Sequence, residues 1–168
     1  MVWFYSALGS NCGVAVSGKF GWWNHGSTFD DSSQLLQLHS HCDMIIEEIQ
    51  IWVKTVVFAW PVHGEVISAI KFKLGNGVDR SYWFDKRGNE GSGPSVFKVP
   101  DGERITTVIV KYGGGIDSLR FITDRGTSSQ KFGGDSGDEA TLHLDGHLVG
   151  FYGRVNDVIE NLGFISFN

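Results

Sequence analysis

Three segments of the chain can be laid over one another without a gap: GEVISAIKFKL from Gly64, GGGIDSLRFIT from Gly113 and NDVIENLGFIS from Asn156. Each opens on a turn-forming residue, has Ile in fourth place, a polar residue fifth, Ile or Leu seventh and Phe ninth. The apolar places are Ile67, Ile70 and Phe72, then Ile116, Leu119 and Phe121, then Ile159, Leu162 and Phe164. Each set ends in period-two alternation, the pattern of a strand with one buried face. The segments start 49 and then 43 residues apart, which suits a Greek-key-sized unit. A repeat of this size limits the chain to an architecture in which similar units share one core.

A glycine-bearing loop followed by a short strand precedes each segment: FGWWNHGSTFDD, KRGNEGSGPSVF and FGGDSGDEATLHL. Runs such as EEIQIWV, RITTVIVKY and HLVGFYG supply further strands. SQLLQLHSHCDMIIEEIQIWV is the one ambiguous stretch, and its β-branched end favours strand. With 23 glycines and only 3 prolines among 168 residues, the chain suits many tight turns between short strands. The expectation is an all-β domain of about twelve short strands in three similar sheets. KTVVFAWPV, ahead of Gly64, reads as a lengthened hairpin or as an apolar edge covered by a partner chain.

A net charge of −5 with no basic block argues against nucleic acid and against an anionic membrane surface. No apolar run is long enough to cross a bilayer as a helix. MVWFYSALGSNCGVAV has no basic leading segment and no clear cleavage site, so it is a weak match for a signal peptide. Cys12 and Cys42 leave three arrangements open: one disulfide within the chain, a link between two chains, or two thiols.

GKFGWWNHGSTFDD, the DGERI turn, IDSLRFITDRG and the closing GHLVGFYGRVNDVIENLGF give the chain a family likeness. It resembles the jacalin-related lectins from about Gly18 to Asn168, so residues 1–17 are expected as an N-terminal extension and 18–168 as the lectin domain. The segment around residues 54–63 falls outside the likeness. The resemblance implies a β-prism I of three four-stranded Greek-key sheets with pseudo-threefold symmetry. It also implies a non-catalytic, metal-independent lectin for mannose- or glucose-type glycans. Galactose preference in such lectins goes with a cleaved chain, whereas here residues 1–17 run on into Gly18. Glycans or glycoproteins are the expected partners, with no cofactor, no nucleic acid and no membrane insertion. A secreted protein is expected, and a homodimer or disulfide-linked oligomer is a further expectation.

Carried over residue by residue, the likeness places a sugar between Gly26 and the turn of Asn156, Asp157, Val158 and Glu160. Tyr112, Gly113 and Gly114 would form the neighbouring specificity loop. Two positions depart from the family pattern. Asn156 stands in place of glycine, and Asn tolerates left-handed backbone better than other side chains. Glu160 stands in place of aspartate, and its extra methylene moves the carboxylate by about 1.5 Å. The chemistry suits a hexose: a fixed carboxylate accepts adjacent hydroxyls, main-chain amides donate, and glycine permits close approach. Trp22, Trp23 or Tyr112 would cover the apolar C–H face of the ring.

The fifth place of the repeat holds Ser68, Asp117 and Glu160 in turn. If the corners are equivalent, Gly115, Ile116, Asp117 and Gly137 make a second sugar site, with Gly137 matching Gly26. The Ser68 corner has no carboxylate and is expected to be silent. Without the family likeness, the same residues read as polar strand-entry turns. An interaction protein with a degenerate sugar site is therefore the alternative function. GDSG at Gly134–Gly137 resembles a protease nucleophile loop but falls on a glycine loop of the repeat, and a triad needs geometry. His39, His41, Cys42 and Asp43 match no strong zinc spacing. No group is placed to act as a glycosidase acid.

Overall fold

The computed structural model describes residues 12–38, 42–59, 62–89 and 91–168, without the side chains of 58, 59, 62 and 63. His39, His41 and residues 1–11 lie outside the described residues. Three antiparallel hairpins form the centre of three sheets. They are β3 (Ile45–Ala59) with β4 (Val62–Gly75), β8 (Ile105–Tyr112) with β9 (Ile116–Thr123), and β12 (His147–Val155) with β13 (Ile159–Phe167). The second strand of each hairpin carries one of the three aligned segments.

Each hairpin is flanked by two outer strands. β1 (Val14–Val16) and β2 (Ser27–Asp30) give the order β1-β13-β12-β2. β10 (Phe132–Gly133) and β11 (Asp138–His143) give β10-β9-β8-β11. β5 (Ser81–Trp83), β6 (Arg87–Gly88) and β7 (Ser92–Lys98) complete the third, in which both β5 and β6 pair with β4. The sheets built on β3 and β8 are Greek keys in chain order. The remaining sheet joins the two ends of the chain, so closing the prism brings residues near 14 beside those near 167.

The expected three sheets are present, with thirteen strands among the described residues rather than about twelve, and five in one sheet. The extra strand arises because an outer edge is interrupted: β5 pairs with Lys73–Gly75, and β6 with Ala69 and Ile70. The other two sheets carry the same interruption as isolated bridges, Phe20 to Leu162 and Ser128 to Ile122. The ambiguous segment is corrected at its start. Ser32–Leu36 form a one-turn helix, α1, and strand begins only at Ile45. The turn is held by tertiary contacts. Leu35 is buried, and the buried Asp31 carboxylate accepts the Phe151 amide at 3.0 Å and the Arg87 guanidinium at 3.1 Å. The stretch 54–63 is a lengthened hairpin whose strands pair from Lys54 and Val66 out to Ala59 and Val62.

The repeat's ninth-place rings, Phe72, Phe121 and Phe164, are all buried, as are its fourth- and seventh-place residues. Phe151 stands edge-on to Phe72 at 5.5 Å and to Phe164 at 5.8 Å, joining two sheets through one ring. Cys12 and Cys42 form a disulfide within the chain, with Cα atoms 5.5 Å apart. With only two cysteines in the sequence, this leaves no thiol for a cross-link between chains. β1 lies within residues 1–17, so the stretch read as an extension supplies the fourth strand of its sheet. The disulfide ties this strand to the approach to β3. Closing a loop of 30 residues removes roughly 3–4 kcal/mol of chain entropy from the unfolded state. Reduction, or the double change Cys12→Ala and Cys42→Ala, should lower Tm by about 10 °C. Differential scanning calorimetry with and without reductant tests this, and an unchanged Tm would contradict it.

Candidate functional site

The three prism corners share one construction. A register shift precedes the pairs Val53–Ile67, Tyr112–Ile116 and Val155–Ile159, placing a bulge at the same point of each hairpin. Each pair's second member is the repeat's fourth-place Ile. The next residue, Ser68, Asp117 or Glu160, is therefore aimed inward at the corner, and all three are buried.

Two glycines then close over each corner. Gly21, Gly88 and Gly133 have φ of 90°, 102° and 98°. A Cβ on them would lie 2.5, 2.1 and 2.1 Å from the carbonyl oxygens of Glu160, Ser68 and Asp117, closer than any side chain allows. A second glycine sits over the bulge carbonyl. A Cβ on Gly26 would be 1.9 Å from the Val155 oxygen, one on Gly91 2.1 Å from the Val53 oxygen, and one on Gly137 2.6 Å from the Tyr112 oxygen. Gly137 thus lies over its corner's carbonyl as Gly26 lies over that of Val155.

At the first corner the structure brings together Gly26, Asn156, Asp157, Val158 and Glu160. The Asn156 amide donates to the Val158 carbonyl at 2.9 Å, closing the turn. The amides of Asp157 and Val158 find no acceptor among the described residues. Asn156 does not use left-handed backbone, since positive φ among the described residues is confined to glycine. The register shift opposite Arg154 and Val155 leaves Glu160 as the extra residue of the bulge, and the turn has an ordinary conformation at 156. The carboxylate of Glu160 is not vacant: its Oε1 accepts the Gly26 amide at 2.5 Å. Arg154 Nη1 donates to the Gly26 carbonyl at 2.8 Å, fixing the other side of that glycine. The longer glutamate reaches across the corner and joins two groups that the resemblance assigns to the sugar. Asp157 Oδ1 accepts a bond from Asn89 at 3.1 Å and is exposed.

The specificity-loop residues have a packing role as well. The Trp22 and Trp23 amides both donate to the Gly114 carbonyl, at 2.9 and 2.8 Å. The Trp23 indole lies flat against Gly114 and Gly115; a Cβ on Gly114 would be 2.1 Å from its Cε2 and Nε1. Asn161 Nδ2 holds the Trp23 carbonyl at 2.9 Å. Tyr112 is half-buried and packs on Phe20, with ring centres 5.3 Å apart. Of the aromatics considered as a ring platform, Trp22 is the most open, at 66% exposure. The doublet Trp22-Trp23 was visible in the sequence, but nothing local marks one indole for packing and the other for solvent.

At the second corner Gly115, Ile116, Asp117 and Gly137 also come together. Asp117 is 3% exposed, and its carboxylate has no hydrogen-bond partner among the described residues. Burial pushes its pKa up to about 6, against a small opposing pull from Lys111. At the third corner Ser68 Oγ is buried without a partner among the described residues, facing Gly91. The described residues contain no cluster of three or more potential metal ligands.

Because the folded pKa of Asp117 lies above its unfolded value, the ionised form opposes folding. Its contribution worsens as pH rises from about 4 to about 6 and is constant above that. Asp117→Asn should raise Tm by a few degrees at pH 7.5. The gain should shrink to nothing near pH 4, where both side chains are neutral. Thermal melts of the two proteins across this range check the sign, and a gain that grew towards acid pH would refute it.

Residues 17–165 match the family model for the jacalin-like lectin domain. No curated protein matches the chain. Solved structures share its fold. The chain is 18% identical to AcmJRL, a mannose-binding jacalin-related lectin from Ananas comosus, with TM-score 0.69, covering 92% of this chain and 99% of that one. For a mannose-binding lectin from Champedak the values are 18% and 0.70, covering 92% and 96%. Single-chain recombinant jacalin gives 18% and 0.71, covering 93% and 95%. Jacalin-like lectins bind carbohydrate and are not catalysts. A family match across most of the sequence, on a prism whose corners are built alike, makes this chain a member of the jacalin-like lectin domain family.

Proposed function

We propose that the chain is a lectin for mannose- or glucose-type glycans and binds them at the corner of Gly26 and residues 156–160. The carrying observation is the pair of amides at Asp157 and Val158 that find no acceptor among the described residues, on the same turn that delivers the Glu160 carboxylate. Two fixed donors and one acceptor suit the alternating hydroxyl and ring oxygens of a hexose. Mannose-binding proteins among the structural neighbours favour the same sugar class. A sugar entering this corner takes over the Gly26 amide or the Glu160 oxygen that now bond each other. That exchange gains little, so a single site binds weakly, with Kd of order millimolar. The Cys12–Cys42 bond supports an oxidising compartment and hence a secreted protein.

The bond between Glu160 and Gly26 equally favours a second reading, an interaction prism whose sugar corner is filled from within. Glu160→Asp separates the two. The shorter acid releases the Gly26 amide, and on the lectin reading it binds methyl α-mannoside roughly tenfold more tightly than wild type, while Glu160→Ala loses binding. Calorimetric titrations with methyl α-mannoside, methyl α-glucoside and methyl α-galactoside measure this. No heat with any protein would leave only the interaction reading, and response to the galactoside alone would overturn the sugar assignment.

A further inference from the structure

We propose that the outer face of the sheet built on β3 and β4 is a binding surface for a uronate-bearing polysaccharide, held by Lys71, Lys73, Lys86 and Lys98 around Trp83. The inference takes carbohydrate as the ligand class from the lectin reading above, but it makes no use of the Glu160 corner.

The face follows from strand alternation. On β4, Ile70, Phe72 and Leu74 are buried in the core, so Lys71 and Lys73 point outward. Register extends this face across the sheet. Lys73 stands between Trp83 on β5 and Glu48 on β3, and Glu48 stands opposite Lys98 on β7. In the next row Gln50 lies between Lys71 and Val96. Trp52, one further step along β3, carries Lys86 over its ring. Four of the chain's eight lysines thus gather on one face of a protein whose net charge is −5. They come from three separate segments, so no basic block marks them in the sequence.

Aromatic rings hold these lysines in place. Lys71 Nζ lies 4.9 Å and Lys73 Nζ 5.5 Å from the centre of the Trp83 ring, and Lys86 Nζ is 5.3 Å from that of Trp52. Two ammonium groups at one ring repel each other, and an anion beside them offsets that repulsion. No carboxylate pairs with Lys71, Lys73 or Lys98 among the described residues. Glu48, the one acid in these two rows, accepts a bond from Gln50 at 3.0 Å. Beyond the row of Lys73 and Lys98, the acids Glu47, Asp79 and Asp101 line the adjoining cleft and end the basic face on that side.

Spacing and composition select the ligand. Two residues along a strand are about 7 Å, and two strands across are about 10 Å. Positive charges this far apart suit a polymer with one carboxylate per sugar ring, rather than the denser charge of a nucleic acid. Lysine is depleted where proteins meet proteins, which argues against a protein partner. Trp83 remains 42% exposed beside the ammonium groups and offers an aromatic surface to the C–H face of a pyranose.

Biolayer interferometry of the full chain on immobilised hexagalacturonate, with its neutral methyl ester as control, tests the proposal. The expected result is saturable binding to the acid form alone, reduced by added salt. The double change Lys71→Gln and Lys73→Gln should weaken it roughly tenfold at unchanged Tm. Equal binding to polyglutamate or to phosphatidylserine vesicles would overturn the carbohydrate assignment. Undiminished binding in the lysine variant, or its loss in Glu160→Ala, would overturn the location. Methyl α-mannoside bound without hexagalacturonate would overturn this inference and leave the lectin reading intact. Hexagalacturonate bound without methyl α-mannoside would support this inference and overturn the mannose assignment alone. No binding of either saccharide would overturn both.

Discussion

The prism depends on main chain meeting main chain at its corners. Gly21, Gly88 and Gly133 each place a bare Cα where a Cβ would fall inside the carbonyl of the residue after the fourth-place Ile. This contact draws an interrupted outer strand onto the second strand of each hairpin. It also fixes where the bulge lies and which side chain turns inward. The buried rings Phe72, Phe121 and Phe164 then follow at constant register. Three sheets with the same offset bury one shared core that none of them could close alone.

On this common frame the fifth-place residue sets the chemistry of each corner. Serine leaves a small, neutral hydroxyl with no partner among the described residues. Aspartate leaves a largely buried acid that meets no donor among the described residues. Glutamate is one methylene longer and reaches the amide of Gly26. The difference between a vacant and a filled corner is thus the reach of one side chain over a nearly constant backbone. Electrostatics follows from that reach, because a carboxylate without donors resists ionisation in proportion to its burial.

The first glycine loop shows how a site is tuned from outside itself. Trp22 and Trp23 are held by one carbonyl, that of Gly114, which belongs to another sheet's hairpin. Trp23 fills the space left by Gly114 and Gly115, and Trp22 stays in solvent next to Gly113. One loop therefore touches the Glu160 corner through Gly26 and borders the Asp117 corner through Trp22.

The sequence alone determined the repeat, the inward Ile, Leu and Phe places and the three glycine loops. These are legible because strand period and glycine spacing are local patterns, and because one unit is written three times. It did not show that Ser32–Leu36 would turn as a helix, since Asp31 is held there by Phe151 and Arg87 from distant strands. Nor did it show that Cys12 would meet Cys42, which depends on the chain ends closing one sheet. Only the tertiary structure decided which acid is spent and which is unpaired. Glu160 and Asp117 hold equivalent places, and their difference is a contact with Gly26 across 134 residues of chain, which no local pattern encodes.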